Sequence, residues 1–385
     1  MNFLKINKAL LTLLLASSIS FSLIANSSLY PGEKILTANG YPALVKFIKG
    51  SPKKPTVVFI PGFAHLARIS YGYPTGNPKN FLSYWLNKKG YSFLGISYPL
   101  DNPVFSDVYP AFNHEDWGKQ AADITKMYIK NNNLSNKVIL IGWSMGGGIA
   151  PTFNIAAEKT GIEVDFFIGL SSDPAIPELY PPSIIKDIKM AKNYLINTKD
   201  TYPGFIKAIE LQGKLNNSDI IPVEIYKKQF LGNIPVCLFG SALRYKNNKW
   251  TTDIAEALST SKSLDLPEYP FTTSIRNYGM YASQLAANAA ILNQSSWGFI
   301  IPRKIFYLYT KDTDFNNLSP GYIAELDQVT NNSLQNLTEK VYGTHFFFIG
   351  EFGAKATAIA VGELEIKMNN YKLLASEFKN NLVHK

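Results

Sequence analysis

The chain has 385 residues, 46% of them hydrophobic, enough for one large domain, or a domain with an insertion, around a sizeable core. Lys and Arg outnumber Asp and Glu by 38 to 29, a net charge of +9 at a pI of about 9.2. The lysines are scattered and form no tight block. This reads as a solvated basic surface rather than a nucleic-acid footprint, with attraction to anionic lipid or an acidic substrate left open.

The first 25 residues have the pattern of a targeting segment. Lys5 and Lys8 form a positive start, and an apolar stretch from Ala9, diluted by serines, runs to Ala25. Cleavage after Ala25 predicts a periplasmic or secreted protein. Export permits disulfides, yet the single cysteine, Cys237, lies in an apolar run and reads as a small core residue.

Residues 26–40 read as a loose lead-in, followed by a strand over Ala43–Ile48. Thr56–Ile60 is a β-branched, buried-looking strand that runs into Pro61-Gly62-Phe63-Ala64-His65. A helix is expected over Asn77–Lys89, a strand over Tyr91–Ser97 and an amphipathic helix over Asp116–Asn131, with Trp117, Ala121, Ile124 and Tyr128 on one face. The apolar run Val138–Ile141 then stops at Gly142-Trp143-Ser144-Met145-Gly146, and Pro151 sits early in the helix that follows. Val164–Leu170 is the next strand. The alternation predicts an α/β fold, a mostly parallel sheet with helices on both faces.

From about Asp173 to Ile300 the rhythm breaks into Pro-, Tyr-, Asn- and Lys-rich chain, with helical pieces near Ile184–Thr198 and Ala282–Leu292 and a strand-like run near Pro235–Phe239. This stretch reads as a cap inserted over the sheet. Alternation resumes with a strand over Arg303–Tyr309, a helix near Pro320–Val329, the segment Val341–Ile349 and a closing helix from about Ala354. The expected organisation is a signal peptide over 1–25, core over 26–172, cap over 173–300 and core again over 301–385.

Gly142-x-Ser144-x-Gly146 lies between a strand and a helix. A serine lifted from a strand end by a sharp turn forces the residues two before and two after it together, and glycine at both places removes the clash. Ser144 is the candidate nucleophile, facing the positive end of the next helix. A hydroxyl nucleophile needs a base, and the base an orienting carboxylate. Of four histidines, His384 is terminal, His65 and His114 precede the serine, and His345 follows the last strand segment, so His345 is the candidate base. The carboxylate should leave a strand end between Ser144 and His345. Asp314, after the expected strand ending at Tyr309, is favoured, with Asp312 and Asp173 as alternatives. The backbone N–H groups of Met145 and Phe63 are the candidate oxyanion donors.

Gly142 to Gly147, Pro61-Gly62-Phe63, the Asp312/Asp314 loop and Gly343-Thr344-His345 together resemble the α/β-hydrolase superfamily over roughly residues 55–172 and 300–350. The resemblance implies acyl transfer to water: Ser144 attacks a carbonyl, His345 shuttles the proton, and the Met145 and Phe63 N–H groups hold the oxyanion. The expected activity is hydrolysis of a carboxylic ester on a small-molecule or lipid-like acyl substrate. Thioesterase, peptidase and acyltransferase chemistry on the same fold remain open, as does a secreted binding protein without catalysis. The cap aromatics (Tyr180, Tyr194, Phe205, Phe230, Tyr278, Tyr281, Trp297) suit an apolar acyl group or make the cap's own core. No metal-ligand spacing or phosphate loop occurs, so neither cofactor nor metal is expected.

Overall fold

The structure is a computed structural model that describes residues 28–383 apart from 178, 180–185, 187, 280–285 and 312–317, with backbone alone for 286–296 and 380–383. The targeting segment, Asp312 and Asp314 therefore lie outside the described residues. Ten strands are described: β1 Glu33–Ala38, β2 Tyr41–Ile48, β3 Thr56–Ile60, β4 Ser92–Ser97, β5 Lys137–Trp143, β6 Glu163–Leu170, β7 Leu243–Lys246, β8 Lys249–Thr252, β9 Thr272–Tyr278 and β10 Thr338–Tyr342. The helices are α1 Arg68–Tyr71, α2 Leu82–Lys88, α3 His114–Asn132, α4 Ala150–Thr160, α5 Tyr202–Leu215, α6 Val223–Gln229, α7 Ile254–Ser261, α8 Ala286–Thr310, α9 Pro320–Asn336 and α10 Glu351–Val383.

Eight strands form one sheet in the order β1-β2-β4-β3-β5-β6-β9-β10, and β2 alone runs against the others. The central strands are apolar without alternation because helices cover both faces, α3 packing with α4 and α2 with α10. Every residue of β3 and β4 is buried. The expected α/β class thus holds. The amphipathic α3 begins with a capping box, in which the Asn113 side chain accepts from the Asp116 backbone and the Asp116 side chain accepts from the Asn113 N–H.

Five expectations change. The lead-in contains β1, joined to β2 by Asn39-Gly40, whose φ values of 50° and 78° are those of a tight two-residue hairpin turn. Arg303–Tyr309 is the end of helix α8. Its buried residues Trp297, Ile301, Ile305 and Tyr309 recur every four, a period that the short apolar run conceals. The missing strand is β9, Thr-Thr-Ser-Ile-Arg-Asn-Tyr, whose polar residues are drawn into the sheet between β6 and β10. Residues 173–300 are therefore not all cap, because β9 ends the insertion before Thr272. Ile188 to Thr198 is not helical, and Val236–Leu238 is a short 3-10 helix rather than a strand.

The insertion between β6 and β9 seats on the loops that leave the C-terminal ends of β3 and β4. Leu66 N–H donates to Phe230 O at 2.8 Å, and Asp101 N–H to Asn233 O at 2.9 Å. A buried ion pair locks one corner of this contact. Arg68 Nε and Nη2 donate to the two Glu33 oxygens at 2.8 and 2.6 Å, and Nη1 donates to Gln229 O at 2.8 Å. Tyr71 Oη donates to the same carboxylate at 2.7 Å. One group thus joins β1, α1 and the insertion. Replacing Glu33 by Ala strands a guanidinium that is 1% exposed. Chemical denaturation should show a loss of about 3–5 kcal/mol, and a loss under ~1 kcal/mol would contradict this reading.

Candidate active site

Ser144 stands where β5 gives way to a 3-10 turn over Ser144–Ile149, with a φ of 52°. A non-glycine residue in the left-handed region costs about 1–2 kcal/mol, and such strain persists where its surroundings enforce it. The enforcing contacts are backbone to backbone. A Cβ on Gly142 would lie 2.4 Å from Gly146 O, and one on Gly146 would lie 2.7 Å from Ile60 O. The glycine spacing read from the sequence is therefore a packing requirement. Pro151 falls in the first turn of α4, so the regular helix starts only at Ala150. Between Val138 and Ala150 every residue is buried except Ser144, which is partly exposed.

The loop after β3 presses against this serine. A Cβ on Gly62 would sit 2.7 Å from Ser144 Cβ, so the Gly62 backbone lies directly beside Ser144. Tyr98 Oη donates to Gly62 O at 2.8 Å, and the His65 ring bonds Phe63 O through Nδ1 at 2.6 Å. Its Nε2 meets Tyr226 Oη of α6 at 2.6 Å. His65 thus clamps the loop carrying Phe63 to the insertion, and full burial lowers its pKa to about 3.

His345 follows β10 and is 8% exposed. Its ring lies against Trp143, centroids 5.3 Å apart, and Trp143 Nε1 donates to His345 O at 3.3 Å. The residue before Ser144 therefore positions the backbone of His345. The histidine loop is also held by α5 of the insertion. Gln212 Oε1 accepts from Thr344 N–H at 3.1 Å, and Gln212 Nε2 donates to Ile349 O at 3.0 Å. Gly343, at a φ of 149°, leaves room for that amide, since a Cβ there would lie 2.6 Å from Gln212 Oε1. Burial alone lowers the His345 pKa to about 4, so the imidazole is neutral at neutral pH, the state a base requires.

The described residues give His345 no carboxylate partner. Nδ1 of His345 has no hydrogen-bond partner among them. Asp173, just past β6, is buried and its N–H donates to Ser144 O at 3.4 Å, placing its backbone at the elbow. No carboxylate follows β9 before Asp312, and the last residue but one of β9 is Asn277, which accepts from Ser171 Oγ at 2.9 Å and donates to Gly343 O at 3.4 Å. Asp312 and Asp314 were expected to follow a strand end, and Arg303–Tyr309 is instead the end of helix α8. Gln212, Tyr226, Asn277 and the Trp143 indole support the site without having been foreseen, since nothing local to them marks the contact.

The cap aromatics serve mainly as packing. Phe230 and Trp297 are fully buried, and Tyr278 is exposed. Among the described cap aromatics, Phe205 has its ring 5.0 Å from His65. Tyr180 and Tyr281 lie outside the described residues. Among the described residues no cluster of three metal-binding side chains occurs.

The sheet order, the strained serine between β5 and α4, and the histidine after the last strand are those of an α/β-hydrolase fold. No known family and no characterised protein matches the chain in sequence. Solved structures resemble it in overall shape. They include a thermophilic esterase from Thermogutta terrifontis (14% identity, 85% of this chain and 94% of that one, TM-score 0.43). A carboxylesterase study of Nitrososphaera gargenis gives 11% identity over 87% and 99% of the two chains, with a TM-score of 0.45. An AqdC variant in complex with its substrate, the Pseudomonas quinolone signal, gives 14% over 86% and 98%, with a TM-score of 0.49. At such identities the likeness concerns the fold.

The Gly62 contact yields a direct test. Gly62→Ala forces the loop away from Ser144, and a displacement near 1 Å should lower kcat/KM about 10²-fold with the circular dichroism spectrum unchanged. Unaltered kinetics would remove the Gly62–Phe63 loop from the site.

Proposed function

We propose that this chain is an exported serine hydrolase that cleaves carboxylic esters of small-molecule or lipid-like acyl groups through an acyl-enzyme. The left-handed backbone of Ser144 is the observation that carries the reading, because the fold holds a strained residue there at the end of a buried strand. Ser144 Oγ attacks the ester carbonyl as neutral His345 takes its proton. The oxyanion is received by the Phe63 and Met145 N–H groups, and the alcohol leaves with the proton from His345. Water then repeats the sequence on the acyl-enzyme and frees the acid. The third member is proposed as Asp314, with Asp312 next. Chain order between Ser144 and His345 supports both, and Asp173 is weakened because it gives His345 Nδ1 no hydrogen bond.

Ser144→Ala and His345→Ala should each lower hydrolysis of a short p-nitrophenyl ester by on the order of 10⁴-fold or more, and the double substitution should be little worse. The acid is found by comparing Asp314→Asn, Asp312→Asn and Asp173→Asn. A carboxylate on Nδ1 favours imidazolium, so the acid limb of kcat/KM should lie above about 4 in the protein. It should move down towards that value only in the variant lacking the true partner. Equal activity in all three variants would leave a Ser–His pair without a carboxylate, and wild-type activity in Ser144→Ala would end the nucleophile assignment. Thioester and peptide substrates in the same assay separate the neighbouring chemistries.

The charged and apolar start of the chain supports export to the periplasm or beyond. N-terminal sequencing of the mature protein should begin between residues 25 and 30. A protein that keeps Met1 in the cytosol would refute it.

A further inference from the structure

The edge of the sheet furthest from β1 carries a cavity of its own, separated by β6 from the strand that bears Ser144. It has a volume of about 340 Å³ and lies between β9, β10 and helix α9, a size that suits a small organic molecule. The strand period decides what faces it. Ser274 and Arg276 of β9 share one face with Thr338 and Lys340 of β10. The register sets Ser274 beside Thr338 and Arg276 beside Lys340. Asn331 and Gln335, one turn apart on α9, line the cavity from the helix side. We infer that this cavity is a binding site for an aromatic phosphate monoester, with the phosphate held between Arg276 and Lys340.

Charge selects an anion. Neighbouring strands run about 4.8 Å apart, so Arg276 and Lys340 set two positive charges abreast, and like charges so placed repel. None of the described residues lining the cavity is acidic. Glu339, next to Lys340 in the chain, belongs to the other face, where Lys367 of α10 takes it. Lys340 is exposed and forms no ion pair among the described residues. A phosphate monoester carries a charge of about −1.5 to −2 at neutral pH, which matches two cations better than the single charge of a carboxylate.

Hydrogen bonding agrees with charge. A guanidinium, an ammonium, a hydroxyl and two amides offer donors to the phosphate oxygens. Thr338 Oγ1 is buried and has no hydrogen-bond partner among the described residues. A buried hydroxyl left alone is costly, and an oxygen of the ligand would satisfy it. The next pair on the same face indicates the organic part. The register sets Tyr278 beside Tyr342, and they are 49% and 44% exposed, with ring centroids 5.4 Å apart. They offer an aryl group a ring surface one step beyond the cations.

Isothermal titration of the purified protein with phenyl phosphate, at an ionic strength fixed with NaCl, should show a single site. Inorganic phosphate should bind more weakly, and benzoate more weakly than phenyl phosphate. Lys340→Gln should weaken phenyl phosphate by about tenfold or more, and Arg276→Gln likewise. Lys340 is exposed, so its variant should keep the wild-type circular dichroism spectrum. Because the substitution removes a repulsion, the ligand-free variant should also melt no lower than the wild type. Ser144→Ala should bind phenyl phosphate as the wild type does. Absence of binding overturns the inference, as does binding indifferent to Lys340→Gln. Loss of binding in Ser144→Ala would give the ligand to the serine instead. Benzoate bound as tightly as phenyl phosphate would overturn the choice of phosphate.

Discussion

The site depends on one constraint, the left-handed backbone of Ser144. That conformation exists because the strand must reverse into a helix within a few residues while two other strand ends crowd the turn. Gly142 meets Gly146, Gly146 meets the end of β3, and Gly62 meets Ser144 itself. Each contact is closer than any side chain allows. The cost of the strained serine is offset by a buried sheet, which fixes both sides of the turn. Lifting the hydroxyl out of a wholly buried strand and bringing the Phe63 loop beside it are therefore consequences of the same packing.

The histidine loop is placed by a different means. His345 sits on a short loop at the sheet edge, where parallel strands alone would leave it mobile. Its position is set by Trp143 from beneath and by Gln212 from the insertion. The Gln212 amide satisfies backbone groups on both sides of the histidine, at Thr344 and Ile349. The insertion thus helps to set the position of the His345 loop. The same holds for His65, which ties the other loop to Tyr226. Two imidazoles in one apolar neighbourhood stay neutral because burial penalises their charged forms.

At the far corner, the Arg68–Glu33 pair closes the insertion onto β1. Its carboxylate and guanidinium satisfy each other, a tyrosine hydroxyl and backbone carbonyls, which is the condition under which buried charges are tolerated. Polar contacts of long sequence separation therefore hold the cap at both ends of the site. Apolar burial supplies the rest.

The central strands and the sharp turn at Ser144 were legible because their causes are local. Val57–Ile60 and Val138–Ile141 are buried on both faces and so are apolar at every position. The elbow needs glycine at fixed offsets from its serine, whatever the rest of the chain does. The Asn39-Gly40 hairpin was equally local, and its signal was present in the sequence though read as a lead-in. Elsewhere the tertiary structure decided. Thr272–Tyr278 has a polar sequence and becomes a strand only because β6 and β10 flank it. Arg303–Tyr309 is as apolar as a strand and is a helix because its buried residues continue a four-residue period begun at Trp297. Gln212 and Asn277 gained their places through contacts more than 60 residues away in the chain, which no spacing encodes. Local sterics fix a turn from its own few residues, whereas a strand at a sheet edge or a buried amide is chosen by its neighbours, and these exist only once the chain has folded.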